Sequence, residues 1–474
     1  MSIQLLIVIL YIVALFAIGA YAKKLASDGH AESFILAGRK LTTPIVAVTV
    51  TGLAIGGAST IGVAENAYNV GLSAGWYNVA WGIGAIGVGL ITAKKYRSLN
   101  VSTVPELFER YYGGHARALA VLVQIFVMIV IASLQYVAGG AILSALLPNI
   151  FTVTTGMIVS ALVFIGITFI GGMWSAGLSN ILNVSLIYIG IIVASIATLG
   201  NMGGIEAIAI QLPTDIPYFH LIDGLGMGII MAWIVVMFTQ SQSLQAVAQI
   251  SFSAVDERSA KKGFILGGLL MLPIGFLYAL MGIAAKAAYP DIHATMALPA
   301  IIMALNPVLA GLTLAAIWAA GVSTACNLLL GTSTLFSQDI YKKYINPTVD
   351  NKKYAQISKL SVMIIGVLTF FLSLTVVGIL QTLTIALSLM TSFTLTFFFT
   401  LYKPSLCRKS SATATIATSV ITLVLWFLVP SIQVFSHPIY LQWITCTIAF
   451  FAVALLDKRS ILTEENEKGV VNHA

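Results

Sequence analysis

Apolar runs of about twenty residues recur along the chain, each closed by a short polar or basic stretch. A helix rises about 1.5 Å per residue, so about 20 apolar residues cross the hydrocarbon core of a bilayer. That ruler predicts thirteen spans, near 2–22, 43–64, 73–93, 117–146, 154–172, 176–200, 222–249, 263–289, 309–337, 356–377, 380–402, 411–430 and 438–456. The pattern is that of an all-α polytopic membrane protein. The stretch after the last span is under twenty residues, so function is expected inside the spans.

Thirteen crossings place segments 23–42, 94–116, 250–262, 338–355, 403–410 and the tail on one side. With Arg117 and Lys359 at the adjoining span ends, that side holds 23 of the 24 Lys and Arg residues, and only Lys286 lies elsewhere. Basic loops stay on the cytoplasmic side. The expected orientation is therefore N-terminus outside and C-terminus inside, in a cell membrane. A miscounted span would scramble this bias. Composition agrees: 59% of residues are hydrophobic and 9% charged, against about 25% charged in soluble proteins. The net charge of +7 is dispersed in short clusters, which does not suggest nucleic-acid binding. Cys326, Cys407 and Cys446 lie too far apart for a disulfide framework or a metal motif. No basic residue precedes the first run and Lys23-Lys24 follow it, the reverse of a cleavable signal, so this run is read as a retained span. No obligate protein partner is evident.

Two spans are polar where lipid would favour hydrocarbon. TGLAIGGASTIGVAENAY at 51–68 carries Gly52, Gly56, Gly57 and Gly62, then Ser59, Thr60 and Glu65. The stretch 315–341, AAIWAAGVSTACNLLLGTSTLFSQDIY, carries Ser323, Thr324, Asn327, Thr332, Ser333 and Thr334. One reading is packing, since small residues let helices approach and hydroxyls bond across them. The other is a broken helix, whose freed carbonyls bind a cation while half-helix ends face a ligand. Glycines make such a break inexpensive. Facing hydroxyls complete an all-oxygen, mostly neutral site suited to a hard monovalent cation. A second break is expected at 238–245, FTQSQSLQ, five spans after the first. That spacing fits an inverted repeat, with halves at 43–200 and 222–402 and an extracellular loop at 201–221 between them. Segments 1–42 and 403–474 supply the extra spans.

Several pieces then resemble the solute:sodium symporters, in order and in spacing, over roughly 1–460. They are AGR at 37–39, IG at 61–62, AYNVG at 67–71, TVPELFERYYG at 103–113, GGMW at 171–174, QISFSAVDERSAKKG at 249–263 and VSTACNLLLGTSTLFSQDIY at 322–341. The resemblance implies a leucine-transporter-like fold of five plus five helices, with extra spans outside it. It also implies sodium-coupled uptake of a small organic solute. Its common sodium site falls on the carbonyls of Gly52, Ile55 and Ala320 and the hydroxyls of Ser323 and Thr324. Its substrate region falls on Gly56, Ala58 and Ser59, on Gln135, and on Met237, Gln240 and Ser241. Gln135 reads equally as an interhelical hydrogen bond. Glu65 reads either as a partner for a substrate cation or as a vestibule charge. Many members carry a Thr-Asp pair after the GG turn, whose Asp serves a second sodium in some. Here SNILN at 179–183 puts the neutral Asn180 there, and Cys326 and Asn327 replace the hydroxyls that follow the Ser-Thr pair. The resemblance then implies about one sodium per substrate.

A channel or uncoupled facilitator on the same fold is a rival reading, as is proton coupling. An enzyme is disfavoured. The six histidines (His30, His115, His220, His293, His437 and His473) fall in loops or at span ends, and the spans hold no paired carboxylates.

Overall fold

The structure is a computed structural model that describes residues 3–25, 31–376 and 378–461. His30, Lys468, His473 and most of the tail lie outside the described residues. Among the described residues ten helices are long and apolar enough to cross a membrane, or eleven counting the bent pair Met227–Ser243 and Gln245–Ser253. Two of the ten reverse direction internally. A straight helix over Val153–Met202 would measure about 75 Å at 1.5 Å per residue, far more than a bilayer. It is interrupted at Gly172 (φ 52°, ψ −135°). Phe16 and Gly19 of the first span meet Gly166 and Ile170, whereas Tyr11 reaches back to Asn183. The two halves are therefore antiparallel.

Ala58–Ile91 reverses likewise at Gly71 (φ 79°). Val46, Val50 and Ala64 lie against Gly263, Gly267 and Gly282 in turn, so that the half before Gly71 runs parallel to the eighth span. Gly75, Gly82 and Gly89 meet Phe276, Leu272 and Ile265, so the half after it runs antiparallel. Thr43–Ala54 is too short to cross alone, and it joins the first of these halves as one broken span. Counting both reversals and the bent pair, the described residues trace thirteen successive passes.

The basic segments gather at one face. Arg39 donates to the carbonyls of Phe252 and Val101 (3.2 Å each), Arg97 to that of Ala254 (2.6 Å) and Lys95 to that of Leu401 (3.0 Å). Each of these capped carbonyls sits at or near a span end, so the same charges that would stop translocation also satisfy exposed backbone. The buried Arg117 guanidinium holds Asp339 (2.7 Å from Nε) and Glu109, and Lys343 closes on Glu109 at 2.6 Å. Burial alone would raise the Glu109 carboxyl, but Lys343 and Arg117 outweigh it and hold the group below its ordinary value. The opposite face is tied by backbone and aromatic contacts. The Tyr68 hydroxyl donates to the Tyr289 carbonyl (2.6 Å), Trp76 to Leu221 (2.9 Å) and Tyr440 to Gly228 (2.7 Å). Around the outside, Leu10, Leu122, Leu162, Ile196 and Leu455 are exposed. In water such a belt would aggregate, but in a bilayer it faces its own solvent.

Gly172 yields a test of this path. A Cβ there would strike the Phe34 carbonyl, in a conformation that L-residues rarely adopt. Strain of that kind costs about 1–3 kcal/mol before the collision is added. Gly172→Ala should lower the thermal midpoint of the detergent-solubilised protein by several degrees. Gly378→Ala has positive φ but open space around it, and should lower the midpoint less. Equal midpoints for the two variants would show that the hairpin at 172 is not a tight fit.

Candidate ion and substrate site

The first break is short and fully buried. Thr43–Ala54 begins behind Thr42 with a proline in its first turn and ends at Ile55 (φ −87°, ψ 77°), whose N–H still reaches the Thr51 carbonyl at 2.8 Å. A wider turn over Ala58–Gly62 then leads into Val63–Val70. Gly52, Gly56, Gly57 and Gly62 all keep negative φ, so a left-handed turn is not what they supply. They supply space. A Cβ on Gly52 would sit 2.6 Å from the Asn180 carboxamide, and one on Gly57 would sit 2.5 Å from Ala138. One on Gly56 would collide with Thr324 and lie 2.6 Å from Gln135.

Close approach brings the Ser-Thr pair onto the freed carbonyls. Ser323 Oγ donates to Gly52 O at 2.7 Å and to Ala320 O at 2.8 Å. Thr324 Oγ1 donates to Gly52 O at 3.0 Å and to Leu53 O at 2.9 Å. Four of the five residues expected to hold sodium thus share one cluster, and Ile55 adjoins it as the first residue out of helical geometry. Leu53 is an addition that the sequence did not indicate. A hydroxyl has two lone pairs and a freely turning proton. Rotating both hydroxyls would present only oxygens to a cation, with no charged ligand, so the donor set fits a monovalent hard ion.

The freed N–H groups are met from the fourth span. Gln135 Oε1 accepts from Gly57 N–H at 2.6 Å, and its amide donates to Ile131 O at 3.2 Å. The interhelical reading of Gln135 is therefore realised in the structure. The second break lies at Leu244, where the two halves bend by 50°. There Gln124 bridges the gap, accepting from Gln245 N–H (3.1 Å) and donating to Ser243 O (2.8 Å). Gln124 and Gln135 are three helical turns apart on Gly114–Leu146, so one face of one helix clamps both breaks. The eleven-residue spacing is visible in the sequence, but not what either side chain faces. Gln242 and Gln245 of the second break are engaged too, as is Gln249 one turn beyond. Gln242 accepts from Thr92 (2.9 Å), Gln245 from Val104 N–H (2.8 Å), and Gln249 donates to Ile35 O (2.6 Å) and Thr334 (3.1 Å).

The residues expected around the substrate fall into two groups. Gly56, Ala58 and Ser59 lie at the first break with Gln135, and Ser59 Oγ donates to Ala54 O at 2.5 Å. Met237 and Ser241 pack against Gly84 of the third span, and Gln240 donates to Ser241 at 3.0 Å while its own Oε1 is buried without a partner. Among the described residues no hydrogen bond joins the two groups; Tyr77 lies beside Ser59 and edge-on to Trp233 (centroids 5.8 Å apart), which precedes Met237 by one helical turn. Glu65 stands apart from both, with Oε1 accepting from Thr295 at 3.2 Å and Oε2 buried without a partner. Asn180, against Gly52, has neither amide atom partnered. Cys326 turns to the Phe164 carbonyl at 3.8 Å and Asn327 bonds its own helix at Ser323 O (2.9 Å). Among the described residues no cluster of His, Cys, Asp and Glu could hold a metal.

Comparison with known families gives a match over residues 34–417 to the model described as the sodium:solute symporter family. The chain belongs to that family. It is a transporter and not an enzyme. A sodium/glucose cotransporter of Vibrio parahaemolyticus is 22% identical over 76% of this chain and 73% of its own. An osmoregulated proline transporter of Bacillus subtilis is 24% identical over 79% and 78%. Among solved structures, a sodium-coupled sialic acid symporter in a substrate-bound outward-open state superposes with a TM-score of 0.79 at 18% identity, covering 97% of this chain and 99% of that one. A nucleobase-cation-symport-1 transporter superposes at 0.62 with 12% identity, over 92% and 95%. The symporter thus has the leucine-transporter-like fold that the resemblance implied.

Gln124 supplies the prediction here. In Gln124→Leu, both Gln245 N–H and Ser243 O lose their side-chain partner in a dry interior. Each orphan costs about 1–3 kcal/mol. The thermal midpoint should fall by several degrees, and hydrogen exchange should rise around 243–245. A variant as stable and as protected as the wild type would show that the backbone holds this break unaided.

Proposed function

We propose that this symporter takes up a small organic solute by alternating access, driven by sodium that enters through the Gly52, Ile55, Ala320, Ser323 and Thr324 site. The observation that carries the reading is the pair of hydroxyls resting on carbonyls freed by the first break. Sodium there replaces the hydroxyl-to-carbonyl hydrogen bonds by ion–oxygen contacts and draws the second and ninth spans together. Its departure on the basic side, taken as cytoplasmic, lets them part. The solute lies between the broken spans and the fourth span, at Gly56, Ala58, Ser59, Gln135, Met237, Gln240 and Ser241. The halves 43–200 and 222–402 each open on a broken span, and access alternates around the site that the two breaks frame. Relatives named for glucose, proline and sialic acid support a small organic solute as cargo.

Replacing either hydroxyl should act on the ion before it acts on the fold. Ser323→Ala and Thr324→Ala should each raise the sodium concentration for half-maximal uptake by about tenfold, equivalent to ~1.4 kcal/mol, with unchanged yield. Uptake into proteoliposomes against external sodium measures this. Wild-type sodium dependence in both variants would remove the ion from this site.

Asn180 sets the expected stoichiometry. An amide lies where some family members place a carboxylate, and a dehydrated cation without a counter-charge is costly to bury. One sodium per solute is expected, with a Hill coefficient of about 1 and a reversal potential that fits a single ion. A reversal potential that demands two ions would overturn it.

A further inference from the structure

The first span, Ile3–Leu25, and the tenth, Asn351–Ser373, lie on either side of the fifth, the half of Val153–Met202 before Gly172. Gly166 of the fifth span meets Phe16 of the first, and its neighbour Ile165 meets Gly366 of the tenth. Ile158, Leu162 and Phe169 of the fifth span are exposed. At about 100° per residue, all three point between the two contacts. They floor an apolar groove, with the exposed Val13 and Met363 on its two edges.

Each edge also carries a lysine. Lys23 follows Phe16 by seven residues, and Lys359 precedes Gly366 by seven. Seven residues make two turns, so each lysine shares the helix face that meets the fifth span. The first span ends on the basic side and the tenth begins there. Both lysines therefore stand about 10 Å from the contact level, toward that side. Lys359 Nζ lies 5.5 Å from the centroid of the Phe34 ring, within cation–π range, and Lys23 is near enough to repel it. The hairpin between the fifth and sixth spans fixes this end of the groove, with Gly172 under the Phe34 carbonyl and Gly171 against Ala22. Glu32, on the same short helix as Phe34, is taken by Arg39 at 2.6 Å. Among the described residues neither Lys23 nor Lys359 has a carboxylate partner. Two like charges at the margin of an apolar phase repel, and an anion between them removes the cost.

We infer that this groove binds one anionic phospholipid of the leaflet on the basic side, its phosphate between Lys23 and Lys359 and an acyl chain along Phe169 and Leu162. The inference does not depend on the proposed ion and solute site. Lysine stems can lie along apolar surface while their ammonium groups reach the headgroup level, and each ammonium offers three donors to phosphate oxygens. A zwitterionic lipid would bring a third cation to a site that already has two. A soluble phosphate would gain nothing from the apolar floor. The lipid would tie the first span, outside the ten-helix core, to the tenth.

The purified full chain in detergent provides the test, read as lipid retained in native mass spectra and as the thermal midpoint during titration. The probes are palmitoyl-oleoyl phosphatidylglycerol, phosphatidylcholine with the same chains, and glycerol 3-phosphate. Phosphatidylglycerol should be retained at about one per chain and raise the midpoint. Phosphatidylcholine should bind about tenfold more weakly, and glycerol 3-phosphate should leave the midpoint unchanged. Lys23→Gln and Lys359→Gln should each weaken phosphatidylglycerol about tenfold, whereas Lys359→Arg, and Lys353→Gln on another face of the tenth span, should stay within about twofold. Without lipid, both Gln variants should be at least as stable as the wild type, because each removes a repulsion. Equal affinity for the two lipids, wild-type affinity in both Gln variants, or a Gln variant less stable than the wild type without lipid would overturn the inference. Displacement of phosphatidylglycerol by glycerol 3-phosphate at matched concentration would overturn it too, by making the ligand a soluble phosphate.

Discussion

An unwound helix inside a bilayer exposes N–H and C=O groups where there is no water to meet them. Everything at the centre of this symporter follows from how that demand is met at two places. At the first break the Ser323 and Thr324 hydroxyls cover the carbonyls of Gly52 and Leu53, and Gln135 covers the Gly57 N–H. At the second, Gln124 covers a donor and an acceptor together. The two solutions differ in a way that matters for function. Hydroxyls can turn and offer their oxygens, and in the proposed function a cation takes the place of the contacts at the first break. A carboxamide that bridges a gap at both ends has no such freedom without giving up both bonds.

The two faces of the molecule are closed by different chemistry. On the basic face, charged and amide side chains from several spans interlock, with Asp339 fully buried beneath Arg117 and Thr103, and Gln249 reaching both Ile35 and Thr334. Buried ion pairs of this kind are costly to split, because separating them strands a desolvated charge. The opposite face is held by aromatic contacts and single backbone bonds around a cavity that the last two spans help to wall. Those are the weaker fastenings, and that is the face on which the cavity lies.

Much of this was legible in the residues. Apolar run lengths gave the crossings, because lipid tests each twenty-residue stretch separately, and the Lys and Arg bias sorted the loops. The helix breaks announced themselves as polar residues at depth, FTQSQSLQ most plainly, with the bend falling at Leu244 within it. Conformational freedom is the general reason for glycines at a break, but the structure keeps these at ordinary φ and uses the missing Cβ to admit Asn180, Ala138, Thr324 and Gln135. Gln124 carried a signal in its eleven-residue spacing from Gln135, but nothing in the sequence said what it faced.

By itself, then, the sequence determined the membrane class, the number of crossings, the basic side and the Ser-Thr pair. These depend on hydrophobicity, charge and motif, which are local. Only the tertiary structure decided that Gly52 and Leu53 carbonyls receive that pair, that one helix clamps both breaks, that Asn180 stands unpartnered beside the cluster, and that the last two spans wall an outer cavity. These are pairings between residues up to hundreds of positions apart, and a polar side chain in a dry interior takes whichever partner packing brings within about 3 Å.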